Sequence, residues 1–307
     1  GLPKRMLPLA YFFALAGMIG CLPAFQSNQL IQITGDLAFS EIENFNIFGG
    51  LALAGITGIV VIGGLKRIAE VATFLVPLMG SIYFGAMIVA LILNLNLVLP
   101  AFKLILVDAF NGTAIAGGTF FGVLIYGVRR GAFSNEAGMG TESLVHGVAK
   151  VSNPVKQGLV AMTGPIFDTL IICTATALMI LVSGVWETSS SQGVTLTAEA
   201  FSILLGSFGG LILFVCVICF GLSTIFTYSY YGASCSRFLF GKFGMKFYIY
   251  LYILSIFIYS IVPIDIAINI ADGAFAMMAI PTLISALWLA PKVMQASKNY
   301  FKLIDNN

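Results

Sequence analysis

The chain reads as an all-α integral membrane protein, a single transmembrane domain over residues 1–307. Three observations predict this. Charged residues are 9% of the sequence and hydrophobic ones 59%, with a mean hydropathy of +1.00, against roughly 25% charged in soluble domains. Apolar runs long enough to cross about 30 Å of hydrocarbon recur along the whole length. The basic residues collect in alternate connecting segments, as they do when those segments share the cytoplasmic side.

Eight runs qualify as spans: 7–33, 47–64, 68–93, 114–145, 157–185, 206–236, 247–262 and 264–290. Running the first from inside to outside puts Lys4, Arg5, Lys66, Arg67, Arg129, Arg130, Lys150 and Lys156 inside. Arg237, Lys242, Lys246, Lys292, Lys298 and Lys302 join them, which makes fourteen of the fifteen basic residues cytoplasmic and leaves only Lys103 outside. Both ends are then expected on the cytoplasmic side, and a miscount by one helix would scatter these charges. The opening Gly-Leu-Pro-Lys-Arg resembles a loop leading into a helix, so an N-terminally truncated chain is expected.

The first span carries Pro23 and then a cluster of amides and hydroxyls, Gln26, Ser27, Asn28, Gln29 and Gln32. An amide beside a cavity hydrogen-bonds a zwitterion without adding net charge; the plainer reading is a helix nearing the outer interface. The second span ends at Gly63-Gly64, and the third is apolar to Leu93. Residues 99–113 are short and mixed, with Lys103 and Asp108, and read as an amphipathic stretch on the outer surface.

The fourth span holds the most informative residues. Gly117, Gly118 and Gly122 give it a thin face for close packing. Gly127 and Gly131 then bracket Arg129 and Arg130, followed by Ser134, Asn135, Glu136 and two further glycines. A charge at membrane depth costs on the order of 3 kcal/mol and needs a partner. Asp168 in the fifth span is a candidate partner. A Gly-interrupted polar helix points to a transporter binding site, where half-helix ends present backbone groups to a ligand. The alternative is that the span ends near Val128 and the arginines anchor the inner interface.

Residues 187–199 are a polar outer loop. In the sixth span Ser223 and Thr224 sit at mid-helix, with Thr227 and Tyr231 continuing the Ser223 face. Such hydroxyls supply neutral oxygens to a small cation, or bond back to the preceding turn. The eighth span carries Asp272, a carboxylate in the membrane and therefore a functional candidate. Cys216 and Cys219 form C-x-x-C on a lipid-buried helix, where they read as small packing residues. A single histidine, His146, excludes a histidine-rich metal site, and no nucleophile–base set, phosphate loop or basic nucleic-acid patch is visible. The expectation is a carrier and not an enzyme, with the lipid bilayer as its surroundings and no organic cofactor.

Residues 127–140, GVRRGAFSNEAGMG, resemble the signature of the alanine/glycine:cation symporter family, a close variant of G-x-x-R-G-x-F-S-N-E-A-G-x-G. Flanking elements agree in order: Gln26-Ser27-Asn28, Gly63-Gly64, Phe167-Asp168-Thr169, Ser223-Thr224, Tyr230-Tyr231-Gly232 and Asn269-Ile270-Ala271-Asp272. The resemblance implies a LeuT-like inverted repeat of five plus five helices, in which the eight spans are core helices three to ten and the first two precede Gly1. It places Gln26 near the substrate, Tyr126 and Gly127 at the break in core helix six, and Ser223 and Thr224 at a sodium site. Arg129, Arg130, Asn135, Glu136, Asp168 and Asp272 are structural or gating candidates. Thr141-Glu142-Ser143 departs from the Ser-Ala of relatives, and Tyr126 stands where some carry Trp.

The same resemblance implies a secondary symporter in a bacterial or archaeal cytoplasmic membrane. It would couple Na+ entry to uptake of a small neutral amino acid, alanine or glycine. Rival readings are a proton-coupled carrier using Asp168 or Asp272, a sensor that binds amino acids without moving them, and an integral-membrane enzyme. The sequence sets no oligomeric state.

Overall fold

The computed structural model describes residues 2–110 and 119–305. Among these the regular structure is helical, and the first expected span is two helices. α1 (Leu7–Gly20) stops at Cys21, and α2 (Ala24–Ala38) begins after Pro23. Pro23 lacks the N–H that a continuous helix would need. Met278 Sδ lies 2.8 Å from where a Cβ on Gly20 would stand, so α1 approaches its neighbour through a bare backbone.

α3 (Phe45–Val61) ends at the Gly63-Gly64 turn, where Gly64 has φ 77°. α4 (Gly64–Leu93) continues through Pro77. α5 (Leu95–Ala109) fills most of the expected surface stretch as a helix with largely exposed side chains. α6 (Thr119–Asn135) and the short α7 (Thr141–His146) occupy the fourth span; Gly117 and Gly118 lie outside the described residues. α8 (Pro154–Pro165) starts on Asn153, whose side chain accepts from the Val155 amide at 2.9 Å. It passes into a π-helix, Ile166–Cys173, and then α9 (Thr174–Ser183).

The expected loop 187–199 is partly helical, since α10 (Val185–Thr188) and α11 (Val194–Leu205) reach into it. Residues expected as the sixth and seventh spans form α12 (Ser207–Ile261), interrupted at Gly241 with φ 68° and ψ −156°. Glycine permits that left-handed turn, and the chain doubles back: Tyr252 Oη donates to the Ile225 carbonyl at 2.6 Å. α13 (Ile264–Asp305) extends well past the expected end of the eighth span.

Cys21, Ile31, Leu53, Phe226, Tyr252 and Met278 meet in one core; Tyr83, Met87, Met179, Phe201 and Cys216 meet in a second. Cys216 is buried and packs as expected. Large apolar side chains such as Phe243 and Leu287 point outward, 81% and 77% exposed. In water that would be a liability, whereas in hydrocarbon it costs nothing. Five helical stretches among the described residues are long and apolar enough to cross a membrane: Lys4–Ala38, Gly64–Leu93, Pro154–Ser183, Ser207–Ile261 and Ile264–Ile304. With the bend at Gly241 and the shorter apolar α3, this is the pattern of a multi-pass membrane protein.

Candidate functional site

α2, α6 and α12, together with α4, the π-helix, α9 and α11, line a cavity of about 550 Å³, within the roughly 300–1,000 Å³ range of small-molecule sites. Its polar wall includes Gln26, Arg130, Glu136, Thr224 and Tyr228. Much of the rest is aromatic or aliphatic, with Phe25, Phe133 and Phe220 among the lining residues.

α2 divides its amides among different tasks. Asn28 donates to the carbonyls of Val262 at 2.7 Å and Tyr259 at 3.3 Å, satisfying the end of α12. Gln29 donates to Gln32 at 2.8 Å and accepts from the Val194 amide at 3.2 Å. Gln32 reaches Thr195 at 3.4 Å, and Thr195 donates to Asp36 at 2.8 Å. These bonds strap the entry of α11 across α2; Gln29 and Gln26 both line the cavity, and Gln26 does so with no such structural bond among the described residues.

The interruption of the fourth span falls later than the sequence suggested. α6 runs unbroken through Tyr126 and Gly127 to Asn135, because neither residue departs from helix. Tyr126 is 65% exposed, and a Cβ on Gly127 would meet nothing within 4 Å. Neither is among the described residues lining the cavity. The turn comes at Glu136, with φ 54°, followed by Gly138 and Gly140 at φ 83° and 89°. Asn135 Oδ1 accepts from the Ala137 amide at 2.9 Å, an Asx turn that ends the helix. Left-handed backbone is unusual for glutamate and marks a place held by its surroundings. Gly140 allows the return, since its Cβ would stand 2.6 Å from Phe13 and Thr282.

Arg130 lies between the rings of Tyr126 and Phe133, 5.5 and 5.3 Å from their centroids. Its guanidinium pairs with Asp272 of α13. The partner is therefore Asp272 and not Asp168. Asp168 instead accepts from Ser134 at 2.6 Å and Thr169 at 3.2 Å, while Asn135 donates to Thr169 at 2.9 Å. The π-helix thereby grips the end of α6. Arg129 is exposed, which fits the interface-anchor reading for that residue.

On α12 the polar stripe is rotated by one residue from the expected one. Ser223 is buried, donates to the Phe220 carbonyl at 2.9 Å and contacts Met79; Thr227 donates back to Ser223 at 2.8 Å. The wall of the cavity is the neighbouring face, Phe220, Thr224 and Tyr228. Tyr228 Oη donates to the Glu136 carboxylate. Sequence reasoning passed over Tyr228, although its one-turn spacing from Thr224 was the available signal.

The family model described as the sodium:alanine symporter family matches residues 1–307. The chain is 35% identical to an uncharacterized transporter of Bacillus subtilis, over 97% of its own length and 64% of that protein. It is 34% identical to a sodium/alanine symporter of Methanococcus maripaludis, over 100% of its length and 68% of the relative. A probable sodium/glutamine symporter of Bacillus subtilis is 32% identical over 98% of the chain and 62% of that protein. The chain spans about two thirds of the length of these curated relatives.

Proposed function

Because this chain belongs to the sodium:alanine symporter family, we propose that it forms the transport core of a carrier that couples Na+ entry to uptake of a small neutral amino acid. Alanine is the first candidate, glycine the next; a side-chain amide is a further option, given the name of the glutamine relative. The observation that carries the reading is that Gln26 and Thr224, singled out on separate helices for substrate and ion, line one cavity. Gln26 offers an amide to the zwitterion. Thr224 offers a neutral oxygen to Na+ from the cavity wall, with Ser223 behind it on the buried face. Tyr126, proposed from sequence as a substrate contact, is assigned instead to seating Arg130, and Gly127, off the cavity, is given no part in the site.

The LeuT-like inverted repeat is part of the same proposal, with these helices as core helices three to ten. Substrate and ion would bind together near the midplane, and rocking of a helix bundle against a scaffold would expose them to each side in turn. The ion's part is linkage: whatever tightens the substrate site by its presence is itself tightened by substrate. The charge distribution favours both ends of the chain on the cytoplasmic side of a bacterial or archaeal inner membrane.

The test is uptake of labelled alanine by the complete protein in proteoliposomes. An inward Na+ gradient should drive accumulation that a sodium ionophore abolishes and a protonophore spares. The opposite pattern would establish a proton-driven carrier, with Asp168 and Asp272 as the carboxylates to test next. Saturable binding with no accumulation would establish a sensor.

A further inference from the structure

Glu136 is the residue on the cavity wall whose chemistry the reading above does not use. It lines the cavity, and its backbone is turned left-handed at φ 54°. Tyr228, 4% exposed, donates to one of its carboxylate oxygens. Neutral hydroxyls, that of Tyr228 and that of the adjacent Thr141, do not neutralise a carboxylate inside a membrane protein, where an uncompensated charge is costly. The one Lys or Arg among the described lining residues, Arg130, gives a terminal guanidinium nitrogen to Asp272, and its buried Nε meets no hydrogen-bond partner, Glu136 included. Lining neighbours such as Phe25, Phe133 and Phe220 supply no cation either.

We propose that Glu136, held by Tyr228, receives the α-ammonium group of the substrate and makes a primary ammonium a requirement for tight binding. This rests on the amino-acid reading of the cavity. It adds to it a named counter-charge and a substrate class: zwitterions, and not monocarboxylates of the same shape. The remaining charged or titratable neighbours of Glu136 are the acidic Glu142 and Asp168 and the thiol and phenol of Cys21 and Tyr231. None of these supplies a positive charge. Tyr228 serves as a positioning residue, since the left-handed turn fixes the Glu136 backbone but leaves its side chain free to rotate.

The experiment measures competition against labelled alanine binding to the complete protein, with unlabelled alanine and propionate as competitors, at saturating Na+. Propionate keeps the carboxylate and methyl group and lacks the ammonium. In the wild type alanine should compete and propionate should not. Glu136→Gln should weaken alanine tenfold or more and bring the two competitors close together. Glu136→Asp, which keeps the charge, should preserve the discrimination with a smaller loss of affinity. Tyr228→Phe should fall between these. Unchanged alanine affinity and discrimination in Glu136→Gln would overturn the assignment. So would an effect confined to the pH dependence of alanine binding, with discrimination against propionate unchanged, which would make the carboxylate a proton-binding group and not the ammonium's counter-charge. Binding is read without transport, so a wild type that binds alanine but fails to accumulate it refutes the symport reading and leaves this one standing.

Discussion

Replacing Asp272 by Asn removes the negative half of the Arg130 pair and leaves the guanidinium inside the protein. Breaking one side of a fully buried ion pair costs about 3–5 kcal/mol. Here the two side chains keep 28% and 25% of their exposure, so water screens part of the charge. The Tyr126 and Phe133 rings still face the cation, worth about 0.5–1 kcal/mol each where exposed. Those ring contacts are present with or without Asp272 and cancel in the difference, so screening alone lowers the expectation from about 3–5 kcal/mol to about 2 kcal/mol of lost stability. Removing both charges, as Arg130→Gln with Asp272→Asn, should restore about 1 kcal/mol or more of that loss, because no charge is then left unmatched. Trp288 reports on the unfolding, since it lies on the same helix as Asp272 and under Arg5 at 5.6 Å. Its emission, isolated in a Trp186→Phe background because the chain has two tryptophans, is followed while the detergent-solubilised protein is titrated with sodium dodecyl sulfate, for the parent, both single variants and the double. If the single effects add to within about 0.5 kcal/mol in the double, the pair carries no coupling. The account of how this polar segment is tolerated would then be wrong.

The remaining contacts give further expected outcomes. Thr224→Ala should raise the Na+ concentration for half-maximal alanine uptake about two- to tenfold, the equivalent of one lost oxygen contact of about 0.5–1.5 kcal/mol. Ser223→Ala should change it less, because the Ser223 proton serves the Phe220 carbonyl; unchanged sodium dependence in both variants would reject the ion assignment. Gln29→Leu removes the side-chain acceptor of the Val194 amide, and hydrogen exchange there should accelerate while amides of α3 remain as protected as before. Gly232→Ala would put a Cβ 2.0 Å from the Tyr248 hydroxyl. Overpacking of this kind costs about 1–3 kcal/mol, which a thermal melt of the purified protein detects.

The amino-acid sequence by itself determined the membrane class, the positions of most helices and the segment where polarity is concentrated. These are sums over neighbouring residues, and the cost of placing a side chain in hydrocarbon needs no knowledge of its tertiary neighbours. It also determined that Arg130 must have a partner, since that too is a statement about solvation. Only the tertiary structure decided which partner. Asp272 lies 142 positions along the chain from Arg130, and no local pattern ranks it above Asp168. Helical spacing offered both the Ser223–Thr227–Tyr231 face and the Thr224–Tyr228 face; Ser223 is turned inward against Met79 of α4, and Thr224 and Tyr228 line the cavity. The amides after Pro23 looked alike in sequence, yet Asn28 closes the end of α12, Gln29 and Gln32 hold the entry to α11, and Gln26 is left on the cavity wall. The break at Glu136, in place of Gly127, has the same origin. Glycine permits a helix to end but does not require it, and the left-handed turn occurs where Asn135, Tyr228 and the neighbours of Gly140 together hold it.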